Sequence, residues 1–217
     1  MSAPAPTTPE PRHFEIALPS PGSLALAAAI LIVTGLVLSI WLAYHREQRI
    51  VEKIENCGGS VVWTLGGVNQ AALKNSAITD ADIVDLSRLR NLSKLNLIST
   101  AIGDAGLVHL SDLKNLSWLA LAGTQVGNAG VAHLSGLKNL RELDLRNTQV
   151  SDAGLVHLNG LTNLARLHLN DTQVSDEGLA QLILLTNLRY LYLDGTKVTD
   201  AGIAKLKREL PNVEIVR

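Results

Sequence analysis

The sequence predicts an α/β solenoid with a parallel concave sheet and short convex helices, preceded by one transmembrane helix. Three observations carry this. A motif recurs every twenty-four residues through the second half of the chain, each copy passes from two-residue to three-residue leucine spacing, and a twenty-residue run without charge precedes them all. Self-similarity at a fixed period of roughly 20 to 50 residues marks a stack of identical supersecondary units rather than one globular centre. Few aromatics and many leucines fit a core assembled from repeated small layers.

Residues 1–23 contain Arg12 as their only Lys or Arg and are rich in proline and small residues, which predicts a disordered tail. The run Leu24–Ala43, "LALAAAILIVTGLVLSIWLA", carries no charge. At about 1.5 Å per residue it is long enough to cross a hydrocarbon core of about 30 Å. Trp41 and Tyr44 stand at its end, where amphipathic rings favour the membrane interface, so residues 24–44 are expected to span the membrane once. A cleaved signal peptide would have an apolar core of roughly 7 to 15 residues after a basic start, so this helix is expected to be retained. Arg46, Arg49 and Lys53 follow the run against Arg12 before it, and the excess favours the repeats on the cytoplasmic side. Ala25 with Ala29, and Gly35 with Ser39, have the small-residue spacing of a weak helix homodimer; a monomeric anchor is the simpler alternative.

Residues 45–65 read as a juxtamembrane helix and N-terminal cap. Ile50, Val51 and Ile54 form an apolar side, Gly58 and Gly59 give a stop signal, and "SVVWTL" reads as a strand. Such a cap is needed because the first layer of a stack would otherwise expose core leucines. Cys57 is the single cysteine, which excludes an intrachain disulfide and lacks the spaced partners of a zinc site.

Residues 66–217 hold the repeats and a C-terminal capping strand. A worn copy begins at Asn75 and clearer copies begin at Ser99, Gly123, Asn147, Asp171 and Gly195. Each reads L-x-x-L-x-L-x-x-T-x-V-x-D-x-G-L-x-x-L. The alternation of Leu143 and Leu145 puts both on one face of a short strand. Ser151 and Asp152 supply an N-cap hydroxyl and a first-turn acid, and Leu155 and Leu158 turn inward together. Gly154 would cost helix stability relative to alanine, so its missing Cβ is expected to allow close packing against the adjacent turn. Pro211 stops the last helix, and Val213 with Ile215 alternates as a closing strand.

This pattern resembles the leucine-rich repeat family, L-x-x-L-x-L-x-x-N-x-L, with Thr100, Thr124, Thr148, Thr172 and Thr196 at the family's asparagine position. Its second half is similar to bacterial, planctomycete-like repeats with a helical convex side. The resemblance covers about Cys57 to Arg217. It implies that the concave surface is the ligand face and that a helix, Gly-Gly and strand stand before the first repeat. A bacterial chain with this anchor would be a single-pass inner-membrane protein.

The formal net charge is -1, and residues 57–217 carry 15 Lys plus Arg against 15 Asp plus Glu, so no basic stripe points to nucleic acid. Ser151, Asp152 and His157 are the residue types of a hydrolase triad. In register, however, Gly103 and Gly127 replace the serine, and Gln181 and Lys205 replace the histidine, exchanges that a nucleophile and its base would not survive. His109, His133 and His157 would lie on helices about 8 to 10 Å apart, too far for one metal ion. No cofactor, metal or enzymatic activity is expected.

The variable positions flank the strand leucines. One column is Lys94, Trp118, Glu142, Arg166 and Tyr190; the second is Asn96, Ala120, Asp144, His168 and Tyr192; the third is Ile98, Ala122, Arg146, Asn170 and Asp194. Parallel neighbours about 4.8 Å apart make each column a strip. Trp118, Tyr190 and Tyr192 are expected to be exposed, and Trp, Tyr and Arg are enriched at protein interfaces. The predicted site for a protein partner is therefore Lys94, Trp118, Glu142, Asp144, Arg146, Arg166, His168, Tyr190 and Tyr192. Alternatives are that the aromatics only stack along the sheet, with Arg166 over Tyr190, or that the protein is an envelope scaffold without a specific partner. A third is that Glu142, Asp144 and His168 bind a divalent ion or act as acid and base.

Overall fold

The computed structural model describes the backbone of residues 21–217 and the side chains of residues 31–217 except those at 43 and 46. The expected tail lies outside the described residues over positions 1–20. The chain forms two compact units, residues 1–39 and residues 40–217. Helix α1 runs from Pro21 to Asn56. In the first unit Leu31, Ile32, Val33, Leu36, Val37 and Leu38 are all exposed. The side chains at 24–30 of the expected membrane span lie outside the described residues, and among the described residues no helix is long and apolar enough to cross a membrane.

The second unit is built on an eight-stranded sheet whose spatial order follows the sequence. Its strands are β1 (Ser60–Thr64), β2 (Gly67–Ala72), β3 (Lys94–Asn96), β4 (Trp118–Ala120), β5 (Glu142–Asp144), β6 (Arg166–His168), β7 (Tyr190–Tyr192) and β8 (Glu214–Val216). All neighbours from β2 to β8 are parallel, whereas β1 folds back antiparallel onto β2 with an irregularity between Val62 and Trp63. Helices α2 (Asp80–Leu86), α3 (Asp104–Leu107), α4 (Asn128–Ala132), α5 (Asp152–Leu155), α6 (Asp176–Leu179) and α7 (Asp200–Glu209) follow successive strands. The helices α3 to α6 contain only one turn of α-helix before tightening into 3₁₀ geometry.

Each layer buries its apolar set as the pattern requires: Leu140, Leu143, Leu145, Val150, Leu155 and Leu158 have no exposed surface. The threonine at the family's asparagine position closes the turn after each of β3 to β7. Thr148 donates its hydroxyl to the Leu145 carbonyl at 2.7 Å, and Thr100, Thr124, Thr172 and Thr196 repeat the bond. The residue just before each threonine is left-handed, at Ser99, Gly123, Asn147, Asp171 and Gly195, as is Asn75 before Ser76 in the worn copy. Gly, Asn and Asp tolerate this conformation best, which leaves Ser99 as the strained member.

The helix start at Ser151 differs from the expected cap, whereas the Ser175 and Thr199 hydroxyls accept the Glu177 and Gly202 N–H groups of their own helices. Ser151 occupies the N-cap position of α5 but makes no side-chain bond to its own helix. Asp152 instead faces the next repeat, where it accepts the Ser175 backbone N–H at 2.8 Å. The same bond links Asp80 to Gly103, Asp104 to Gly127, Asn128 to Ser151 and Asp176 to Thr199. A first-turn carboxylate is drawn to the orphan N–H groups of the adjacent helix start because they lie alongside it in the stack. This arrangement explains the recurring glycine. A Cβ on Gly154 would stand 2.6 Å from Asn128 Oδ1, and Cβ atoms on Gly130, Gly178 and Gly202 would collide with Asp104, Asp152 and Asp176.

A second ladder was not read from the sequence. Asn115, Asn139, Asn163 and Asn187 donate their side-chain amides to the carbonyls of Arg90, Lys114, Lys138 and Thr162 at 2.7–2.8 Å. Its signal is the L-x-N-L tetrapeptide before each of β3 to β7. At the N-terminal end, Ile50, Val51 and Ile54 of α1 are buried over the first layer. Glu47 is buried and accepts the Val68 N–H at 2.7 Å, while Lys53 bridges Asp82 and Asp85 at 2.9 and 3.2 Å.

Candidate functional site

The concave strips form in the expected register. Lys94, Trp118, Glu142, Arg166 and Tyr190 are successive partners across β3 to β7, as are Asn96, Ala120, Asp144, His168 and Tyr192. Alternation along each strand sends the intervening leucine into the core and both flanking side chains to this surface.

Exposure along the strips is uneven. Lys94, Arg166 and Arg146 are exposed, but Trp118, Tyr190 and Tyr192 are half-buried, not exposed as their alternation suggests. The correction has a physical cause: side chains on neighbouring strands cover one another. Arg166 lies 5.3 Å from the Tyr190 ring centre and pairs with Glu142 at 3.3 Å. The His168 ring stacks on Tyr192 with centroids 4.2 Å apart and an interplanar angle of 3°. Stacking along the sheet therefore occurs, and the outer faces remain available.

Asp144 is only 5 % exposed and so lies beneath the concave surface rather than on it. Its carboxylate accepts Arg146 Nε at 2.9 Å and Nη2 at 2.7 Å, a bidentate pair, and also the Arg146 backbone N–H at 3.1 Å. The pair raises the Arg146 guanidinium further above its already high range, chiefly through this hydrogen bond. The planar fork is held rigidly, and Arg146 keeps an exposed side.

His168 has a pKa held below its ordinary 6.5, first by burial and then by the nearby Arg146 and Arg166 guanidinium groups, against the opposing pull of Asp144 and Glu142. Its Nε2 lies 3.7 Å from Glu142 Oε1, a distance that could suggest an ion pair. Both carboxylates are already committed to arginines, so we assign a neutral imidazole at pH 7. Above pH 6.5 both folded and unfolded states carry neutral histidine and the stability is fully present. As pH falls through the lower folded value, the unfolded state takes up the proton more readily and stability is lost. His168→Gln should flatten that loss, seen as a smaller drop in melting temperature between about pH 7.5 and 5.5 than in the parent.

Glu142, Asp144 and His168 adjoin as predicted, but two of the three are carboxylates already paired with arginine. Among the described residues no group of three or more His, Cys, Asp or Glu side chains is placed to hold a metal ion. On the convex side His157 is exposed, and Ser151 and Asp152 serve the inter-repeat ladder, so the three triad-type residues converge on no common point.

The N-terminal half of the concave face forms a groove of about 610 Å³, lined among others by Lys94, Asn96, Trp118, Arg141, Glu142 and Arg166. Arg141 was not among the predicted site residues. It precedes β5 by one position, and the signal for it is the column Ser93, Ser117, Arg141, Ala165 and Arg189, variable like its neighbours.

Sequence and structure comparisons agree on the architecture. A family description for leucine-rich repeats in two copies matches residues 138–181, and one for a single leucine-rich repeat matches residues 185–207. No curated protein matches in sequence. Among solved structures, an internalin from Listeria monocytogenes is similar at 25% identity with a TM-score of 0.57, over 68% of this chain. The chain spans 39% of that internalin's length. Internalin C2 from the same organism is similar in fold at 24% identity and a TM-score of 0.51, over 77% of this chain and 81% of its own.

Proposed function

Because this chain belongs to the leucine-rich repeat family, we propose that it is a membrane-anchored interaction protein whose concave sheet binds a protein partner. The observation that carries the reading is the gathering of Trp118, Arg166, His168, Tyr190 and Tyr192 on one continuous parallel surface. Tyr, Trp and Arg supply large contact area with few rotamers to freeze, and they dominate binding energy when centred in an interface. Here Arg166, His168, Tyr190 and Tyr192 are already ordered by stacking and pairing, so less conformational entropy is lost on binding. The Asp144–Arg146 and Glu142–Arg166 pairs also neutralise charge within the surface, which lowers the cost of removing water from it.

Anchoring rests on the uncharged run Leu24–Ala43, and the excess of basic residues after it favours a cytoplasmic repeat domain in a bacterial inner membrane. A combined Trp118→Ala, Tyr190→Ala and Tyr192→Ala variant should lose at least about tenfold in affinity for the partner retained by the parent protein on native membranes. A folded triple variant that retains the same partner with unchanged affinity would refute the concave reading and favour a scaffold role.

A further inference from the structure

One feature of the cap is unused by the concave surface. The hairpin joining β1 to β2 ends in Leu65, which is 86 % exposed and lies outside the concave groove. A soluble hairpin tip of two residues is ordinarily polar and rich in turn formers. Here the tip approaches α1: Ile40, Tyr44, Trp63, Thr64, Leu65 and Gly67 line one cleft of about 170 Å³. The Tyr44 and Trp63 rings are 5.0 Å apart, and Trp41, also exposed, packs edge-on against His45.

The level of this cleft along the helix identifies its surroundings. Ile40 lies within the uncharged run, about one helical turn before its end at Ala43. A tip that packs beside Ile40 and Tyr44 must therefore reach whatever medium surrounds the last turn of that run. The geometry points to a membrane foot: Leu65, with the half-buried Trp63 just behind it against the core, reaches the interfacial layer of the bilayer beside Trp41 and Tyr44, and fixes the first repeat against the lipid surface. This rests on the membrane-anchor reading given above. The residue types fit, since Trp and Tyr favour the depth where one edge of the ring is apolar and the other hydrated. The polar cleft that includes Gly66 of the tip combines Arg88 and Arg90 with Glu47 and Asp112, so its formal charges balance.

Neutral lipid is therefore the appropriate probe. The full chain is reconstituted into nanodiscs of phosphatidylcholine brominated near the top of the acyl chains, and the quenching of single tryptophans is read. Trp41→Phe with Trp118→Phe leaves Trp63, Trp63→Phe with Trp118→Phe leaves Trp41, and Trp41→Phe with Trp63→Phe leaves Trp118. We expect Trp63 and Trp41 to be quenched at least twofold and Trp118 not at all. Leu65→Asp, at a position that is 86 % exposed, should reduce the quenching of Trp63 while leaving that of Trp41 unchanged. Quenching of Trp41 with none of Trp63 would overturn the foot while leaving the anchor intact. Absence of quenching at both would overturn the anchor reading, and the foot with it.

Discussion

Leu143→Ala is expected to destabilise the repeat domain by about 2–5 kcal/mol, the range for emptying a fully buried leucine site. Leu143 has no exposed surface and stands between Leu119 and Leu167 in the middle of the sheet. The loss should also change the shape of the transition. In a stack, each unit is stabilised by its own layer and by its two interfaces, so a weakened central layer separates the flanking halves. Thermal unfolding of the variant should shift down and broaden or split, whereas Ile215→Ala on the half-buried closing strand should shift a single transition by much less. A Leu143→Ala protein that melted with the parent's midpoint and width would contradict the layered core.

The second large effect concerns the glycine at the start of each of the convex helices α3 to α7. Gly154→Ala should destabilise by about 1–3 kcal/mol, as overpacking does, although alanine is favoured over glycine in a helix by about 1 kcal/mol. The reason is positional. The new Cβ would meet Asn128 Oδ1 at 2.6 Å and Val150 Cγ1 at 3.2 Å. Asn128 cannot withdraw cheaply, because it accepts the Ser151 N–H at 2.9 Å and donates to Ser151 Oγ at 2.8 Å. Removing the obstruction should reverse the sign. In an Asn128→Ala background, itself destabilised by loss of those bonds, Gly154→Ala should become neutral or stabilising. A double-mutant cycle with no coupling between the two positions would show that the glycine is kept for another reason.

These two predictions also separate what was legible in the sequence from what was not. The layers and concave columns were legible because strand alternation is local: once Leu143 and Leu145 face inward, Glu142, Asp144 and Arg146 are placed on the other side, and a constant period supplies the stacking. The destination of Asp152 was not. A first-turn acid looks the same whether it caps its own helix or the next, and only the spacing of coils in the stack decides between them. The half-burial of Trp118, Tyr190 and Tyr192 was hidden for a similar reason, since exposure depends on how long side chains such as Arg166 and His168 lie across their neighbours. Asp144 could have been recognised as paired, because its Arg146 partner stands two residues away on the same strand face. The hairpin tip beside Ile40 depends on a contact between distant parts of the chain, which no periodicity reveals.

The central claim is that recognition takes place on the concave sheet. It is tested most directly by placing a photoreactive amino acid at Tyr190 or Arg166, and separately at the convex His157, in the full-length protein in its native cells. A discrete crosslinked partner is expected from positions 190 and 166 and none from 157. Crosslinking to a defined protein from 157 alone, with none from the two concave positions, would contradict it.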